Sequence, residues 1–356
     1  MLALLGLAAA ALAGAEQGTR DRLSRYFGEW FSVCPGTRVT VAEAREIAMP
    51  GYEVYRVERH CNLKNRDEQA FAVVDPARNA LFLGEILHSD DRHDAPFSAA
   101  EDIPVLEKAL REVFGVPTSI RLETGSRGTL IPLRVSLRQA EDASASMSGF
   151  VSADGASLLL GEFFPFDERP NAFRERLLAE SGGPPPAKSA FTVTAFIDFQ
   201  CERCRVRTPK VRDFAWTHGG SLEIRFLPLV KVHHWAFAAA ESGAALVEVS
   251  PALYAQYEEA LFLRAATMNE KAAEALAADI AEAAGAREAY EAARQSGRAR
   301  QRVLRDIELA LRLGLNSTPV FFFRGAQLSS EPDLAENYIQ VRLGKASTAG
   351  KKGARR

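Results

Sequence analysis

The chain has 356 residues, 47% hydrophobic and 25% charged, a composition of globular proteins with room for two buried cores. A formal net charge of -2 gives no electrostatic ground for a nucleic acid or an anionic membrane as the principal partner. No internal repeat is visible, which argues against a solenoid.

Residues 1–15 open with an apolar, small-residue run, Leu2 to Ala13, before polar Glu16 and Gln17. This is the shape of a secretory signal peptide, too short to span a bilayer, and Ala11-Leu12-Ala13 fits an Ala-x-Ala cleavage rule. No Lys or Arg precedes Arg20, so the basic n-region is missing. A start codon placed too late and a frayed apolar terminus are the alternatives. Export to a bacterial periplasm or cell envelope is the expectation.

Residues 16–180 are expected to form an α+β domain. From Arg20 to Val33, Leu23, Tyr26, Phe27, Trp30 and Phe31 recur at helical spacing. Strands are predicted at Tyr52–Arg59, Ala70–Val74, Ala80–Ile86, Leu130–Leu137, Gly149–Val151 and Ser157–Glu162, in a mostly antiparallel sheet. Ser98 with Glu101 reads as a capping box for a helix reaching Phe114, although Pro104 could move its start inward. No catalytic constellation stands out in this region. Residues 181–187, beginning Ser181-Gly182-Gly183-Pro184-Pro185-Pro186, read as an interdomain linker.

Over residues 188–343 the pattern changes. The run Phe191 to Ile197 suits a strand buried on both faces, and a helix with Pro209 inside it should follow, to about Trp216. A second strand at Leu222–Leu227 precedes a helical block over 236–313, and Pro319 to Phe323 reads as a further strand. This order describes an α/β domain with an inserted helical subdomain. Residues 344–356 form a basic tail, read as a solvated, disordered terminus.

The four cysteines sort into two pairs. Cys34 and Cys61 lie in the first domain; in an exported protein they could be a structural disulfide, or they could be two unrelated buried thiols. Cys201 and Cys204 flank two residues directly after a buried strand. At a helix N-terminus the first sulfur faces unpaired N–H groups and the positive end of the macrodipole, so its thiolate is favoured. The second sulfur, one turn on, can attack a mixed disulfide formed at the first. Cys201 is therefore the candidate nucleophile and Cys204 the resolving thiol. Arg203 should favour the Cys201 thiolate, and Glu202 oppose it if its carboxylate lies close and is not solvated. A structural zinc would need four ligands, and no second Cys-x-x-Cys or spaced His pair exists, so no metal is expected.

These residues resemble the DsbA-like branch of the thioredoxin superfamily, as a two-domain member. Phe196-Ile197-Asp198-Phe199-Gln200-Cys201-Glu202-Arg203-Cys204 is similar to its strand-to-active-site signature. Phe226-Leu227-Pro228-Leu229, His233 and Ala238-Ala239-Ala240 resemble the stretch leading into the inserted helices. Gly314-Leu315-Asn316-Ser317-Thr318-Pro319-Val320-Phe321 looks like the Gly-x-x-x-Thr-Pro-x-Phe signature, and the likeness covers Phe191 to Gln340. The segment from Gly149 to Gly161 resembles the strand pair that precedes the catalytic domain in two-domain relatives. The resemblance implies a thioredoxin-like fold, and a cis Thr318-Pro319 bond whose preceding backbone faces the sulfurs and pairs with an extended substrate. Ala195 stands where many relatives keep a buried acid, so a proton relay must use another group such as Asp198 or Glu202.

The leading function is an exported thiol:disulfide oxidoreductase acting on protein thiols or disulfides, as dithiol oxidase or isomerase. It needs no cofactor beyond the redox-active Cys201-Cys204 disulfide. A homodimer through the N-terminal domain would favour the isomerase. The alternatives are a client-binding, chaperone-like module and a redox relay dedicated to one membrane or protein partner.

Overall fold

The computed structural model describes residues 17–34, 36–62, 66–88, 96–140, 143–181, 189–329 and 331–344. The expected signal peptide at 1–15, the linker beyond Ser181 and the tail beyond Gly344 lie outside the described residues.

The described residues open with helix α1 (residues 17–30), which buries Leu23, Tyr26 and Phe27. It ends earlier than its apolar spacing suggested because the Val33 N–H donates to the Gln327 carbonyl at 2.8 Å, which draws the chain into an extended course. Eight strands follow: β1 (Arg38–Glu43), β2 (Glu53–Cys61), β3 (Arg66–Asp75), β4 (Ala80–His88), β5 (Thr118–Leu122), β6 (Leu130–Ala140), β7 (Ala143–Ser152) and β8 (Ser157–Pro165). They form one antiparallel sheet in the order β1-β2-β3-β4-β8-β7-β6-β5. Gly84 and Gly161 face each other across β4 and β8. A Cβ at Gly84 would stand 2.1 Å from the Leu160 carbonyl oxygen, and one at Gly161 2.3 Å from that of Leu83. Only glycines let the two backbones approach this closely, at φ of 156° and 149°.

Helix α2 (Ala99–Phe114) packs Leu110 against Leu133, Val135 and Leu160 of this sheet. Its start differs from the expected capping box. The Ser98 side chain makes no cap bond; instead the Ser98 N–H donates to the Asp102 carboxylate at 2.8 Å, so Asp102 replaces Glu101. Pro104 lies inside the helix without displacing its start.

Helix α3 (Pro170–Ser181) then places Phe173 and Leu177 in a core shared with the C-terminal half, and Ser181, expected in the linker, is its last residue. Its third core-facing residue is Arg174, 1% exposed, which donates to the Glu29 and Trp30 carbonyls with its guanidinium 3.9 Å from the Trp30 ring centre. Burial lowers its pKa to about 9.

The C-terminal half holds β9 (Thr192–Ile197), α4 (Glu202–Thr217), β10 (Ser221–Phe226), helices α5 (Ala236–Val249), α6 (Pro251–Arg264), α7 (Glu270–Ala283), α8 (Arg287–Gln295) and α9 (Arg298–Arg312), then β11 (Val320–Phe323), β12 (Ala326–Gln327) and α10 (Pro332–Arg342). Its sheet runs β10-β9-β11-β12, with β9 and β10 parallel and β11 antiparallel to β9 and β12. This is a thioredoxin-like fold with five helices inserted between β10 and β11. Ala-rich α5, buried over Ala236–Leu246, is the axis of the insertion, which small side chains allow by close helix approach. The α6 start is set by Ser250, whose hydroxyl accepts from the Ala252 N–H, with Pro251 in the first turn.

The two halves share packing rather than meeting only through a tether. α9 lies along β7, the Asn316 amide donates to Glu85 at 3.2 Å, and the Lys231 ammonium donates to the Glu112 carbonyl. Cys34 and Cys61 are bonded, closing the segment after α1 onto the end of β2.

Candidate active site

The site forms at the C-terminal end of β9, an interior strand of the C-terminal sheet, where the chain gives way to α4. Asp198, Phe199 and Gln200 make the turn, closed by the Cys201 N–H donating to the Asp198 carbonyl at 3.2 Å. Phe199 is held by rings from both β10 and the insertion, with centroids 5.9 Å from Phe226, 5.7 Å from Tyr257 and 6.0 Å from Phe262. The helical block therefore fixes the turn that presents the cysteines.

Cys201 is the N-cap of α4, where the first amide N–H groups lack helical partners. Its sulfur, on a residue 9% exposed, lies 3.5 Å from the Thr318 carbonyl, and the Thr318-Pro319 peptide is cis. Cys204 is fully buried one turn along, and its sulfur accepts from the Asp198 N–H at 3.4 Å. Both thiols are free. Hydrogen bonding from the Cys204 thiol is the largest influence on Cys201, opposed by burial and reinforced by Thr318 and the N–H groups of Cys204 and Arg203. Together they bring the Cys201 pKa down from 9.0 to about 5. Burial pushes Cys204 the other way, followed by its bond to Cys201. One sulfur is poised as an anion, and its neighbour holds a proton.

The two intervening side chains act otherwise than their charges suggested. Glu202 is 82% exposed and pairs with Arg205 at 3.3 Å, while the exposed Arg203 contributes through its backbone N–H. Both side chains are exposed, and neither charge is among the influences that lower the Cys201 pKa.

Asp198, a relay candidate, is buried and committed to holding loops together. One carboxylate oxygen accepts from the Gln200 N–H at 2.7 Å, and the other from the Leu229 N–H at 2.7 Å and His233 Nδ1 at 2.8 Å. The bond to Asp198 raises the His233 pKa, with the charges of Asp198 and Cys201 adding to it. His233 as the partner of Asp198 was not legible beforehand; the adjacent histidines His233 and His234 shortly after a buried strand were its one signal. Ala195 is buried within β9. Among the described residues there is no group of three or more His, Cys, Asp or Glu that could hold a metal ion.

Residues 183–340 match the protein-family model described as Thioredoxin. The solved structures similar to the chain include a thiol-disulfide exchange protein, alpha-DsbA2, from Wolbachia pipientis, at 13% identity and a TM-score of 0.40, covering 50% of this chain and 97% of that one. A thioredoxin-like oxidoreductase from Silicibacter pomeroyi is 23% identical with a TM-score of 0.36, over 45% of this chain and 90% of its own. ScsC from Proteus mirabilis, in a transitional conformation, is 14% identical with a TM-score of 0.39, over 49% and 82%. No curated protein matches the chain.

Proposed function

We propose that the protein is an exported thiol:disulfide oxidoreductase that works on protein cysteines as a dithiol oxidase. The observation that carries this reading is the asymmetry of the two sulfurs, with Cys201 held near a pKa of 5 and Cys204 well above the ordinary thiol value. A stabilised thiolate in the reduced form makes the corresponding disulfide a good oxidant.

In the oxidised protein, a client thiolate attacks the Cys201 sulfur and the Cys201-Cys204 bond breaks, with the electron pair and a proton going to Cys204. A second client thiolate then attacks the client sulfur of the mixed disulfide. Cys201 leaves as its thiolate, a good leaving group at so low a pKa. The client gains one disulfide, the protein ends as the dithiol, and the protons lost by the client go to Cys204 and solvent. Thr318 and Pro319 form the wall against which the client segment lies, with the Thr318 carbonyl beside the reacting sulfur. A membrane or protein partner carrying a disulfide or quinone must restore the oxidised pair.

The Cys34–Cys61 disulfide supports export, since such bonds persist in oxidising compartments. The test is to mix the oxidised protein with a reduced, unfolded client and to measure the Cys201-Cys204 equilibrium with glutathione. Transfer of one disulfide per protein, with an oxidising equilibrium, is the expected result. A pair that stays reduced in glutathione buffer, in a protein that sediments as a dimer, would replace this reading with the isomerase. Client protection from aggregation that survives Cys201→Ala, without disulfide transfer, would replace it with the client-binding module.

A further inference from the structure

A cleft of about 370 Å³ lies between the N-terminal sheet and the C-terminal domain. Its walls are apolar, with Leu87, Met147 and Leu160 on one side and Val230, Leu311 and Leu315 on the other. At this size, near the small end of ligand cavities, which begin at about 300 Å³, it admits a large side chain and not a folded segment.

Its position gives it a role. Both C-terminal loops that line it come from the active-site end of the sheet. The segment Leu227–Val232 includes Leu229, whose N–H is bonded to Asp198, and Gly314–Asn316 ends two residues before Thr318, whose carbonyl touches the Cys201 sulfur. The N-terminal domain holds both loops in place, through Lys231 to the Glu112 carbonyl and Asn316 to Glu85. Val232, at the rim, leaves a large apolar side chain 60% exposed.

Resting on the exchange reading above, we infer that this cleft is a specificity pocket for unfolded client proteins, taking a large apolar side chain two residues from the client cysteine at Cys201. In an extended client chain, positions i and i+2 share a face and stand about 7 Å apart, so the side chain two residues from the client cysteine points to the same side as its sulfur. Folded proteins bury large apolar side chains, so a cysteine flanked by an accessible leucine marks a chain that has not yet folded. The N-terminal domain thereby supplies selection, while Cys201 supplies chemistry.

The test uses full-length Cys204→Ser and two short peptides, each a mixed disulfide with glutathione at its single cysteine. One has leucine two residues to either side of that cysteine, the other serine. The Cys201 thiolate attacks the peptide sulfur, forms the peptide adduct and releases glutathione as its thiolate. Burying one leucine side chain corresponds to about tenfold or more, so the leucine peptide should form its adduct at least about tenfold faster at subsaturating concentration. Leu87→Glu, or Val232→Glu at the exposed rim should the first not fold, should bring the leucine peptide down to the rate of the serine peptide. Equal rates for the two peptides, with oxidised glutathione reacting normally, would overturn the pocket and leave the exchange reading standing. No reaction with either peptide or with oxidised glutathione would overturn the exchange reading, and the pocket with it.

Discussion

Replacing Cys204 by alanine tests what makes Cys201 acidic. The Cys204 thiol is the largest influence holding Cys201 at about 5, ahead of Thr318 and the helix amides. A hydrogen bond to a charged group is worth about 1.5–3 kcal/mol, and about 1.4 kcal/mol shifts a pKa by one unit. Cys204→Ala should therefore raise the Cys201 pKa by about one to two units. Cys204→Ser keeps an O–H donor in nearly the same place and should leave Cys201 close to its original value. The small void left by alanine costs about 1 kcal/mol of stability, which a melting curve will register separately. The assay is the pH dependence of Cys201 alkylation or of thiolate ultraviolet absorbance; Cys34 and Cys61, being bonded, stay silent. An alanine variant that titrates like the serine variant would refute the reasoning and leave Thr318 and the helix amides as the causes.

The same acidity ties stability to pH. With a folded pKa of about 5 against an ordinary 9.0, the thiolate stabilises the reduced fold fully above about pH 9. That stabilisation declines as pH falls and is gone below about pH 5. Near pH 7 it amounts to roughly 2–3 kcal/mol, read as the difference in urea unfolding between reduced wild type and Cys201→Ser; a flat difference across this window would contradict it. Asp198→Asn should lower the His233 pKa, because its main cause is the Asp198 carboxylate, and an NMR titration of the imidazole that does not move would count against the pair. Removing both Cys34 and Cys61 opens a loop of 27 residues, which should cost about 3.5 kcal/mol in chemical unfolding. A loss well under about 1 kcal/mol would mean that the chain after α1 is held by its other contacts.

Much of the C-terminal domain was legible because its signals are local. The apolar run Phe191 to Ile197 suits a buried strand, and a helix was expected to begin at Cys201 after it. The less legible elements share a cause, which is that tertiary contacts decide them. β1 is a short edge strand with no fully buried residue, and β7 alternates serine with small residues until Met147. α3 was hidden because Arg174 occupies a core position that periodicity assigns to an apolar residue. At the site, residue types suggested that Arg203 and Glu202 tune Cys201 through their charges. Both side chains are exposed to solvent, and the task falls to Cys204, Thr318 and the backbone. The cleft between the domains is composite, with lining drawn from α2, β4, β6, β7, β8, α9 and two loops, so no single stretch announces it.

The most direct test of Cys201 as the exchange nucleophile is to offer single-cysteine variants an unfolded protein disulfide and locate the adduct by mass spectrometry. Cys204→Ser should accumulate a mixed disulfide on Cys201, while Cys201→Ser should form none on the buried, protonated Cys204. An adduct on Cys204, or none on Cys201, would contradict that assignment.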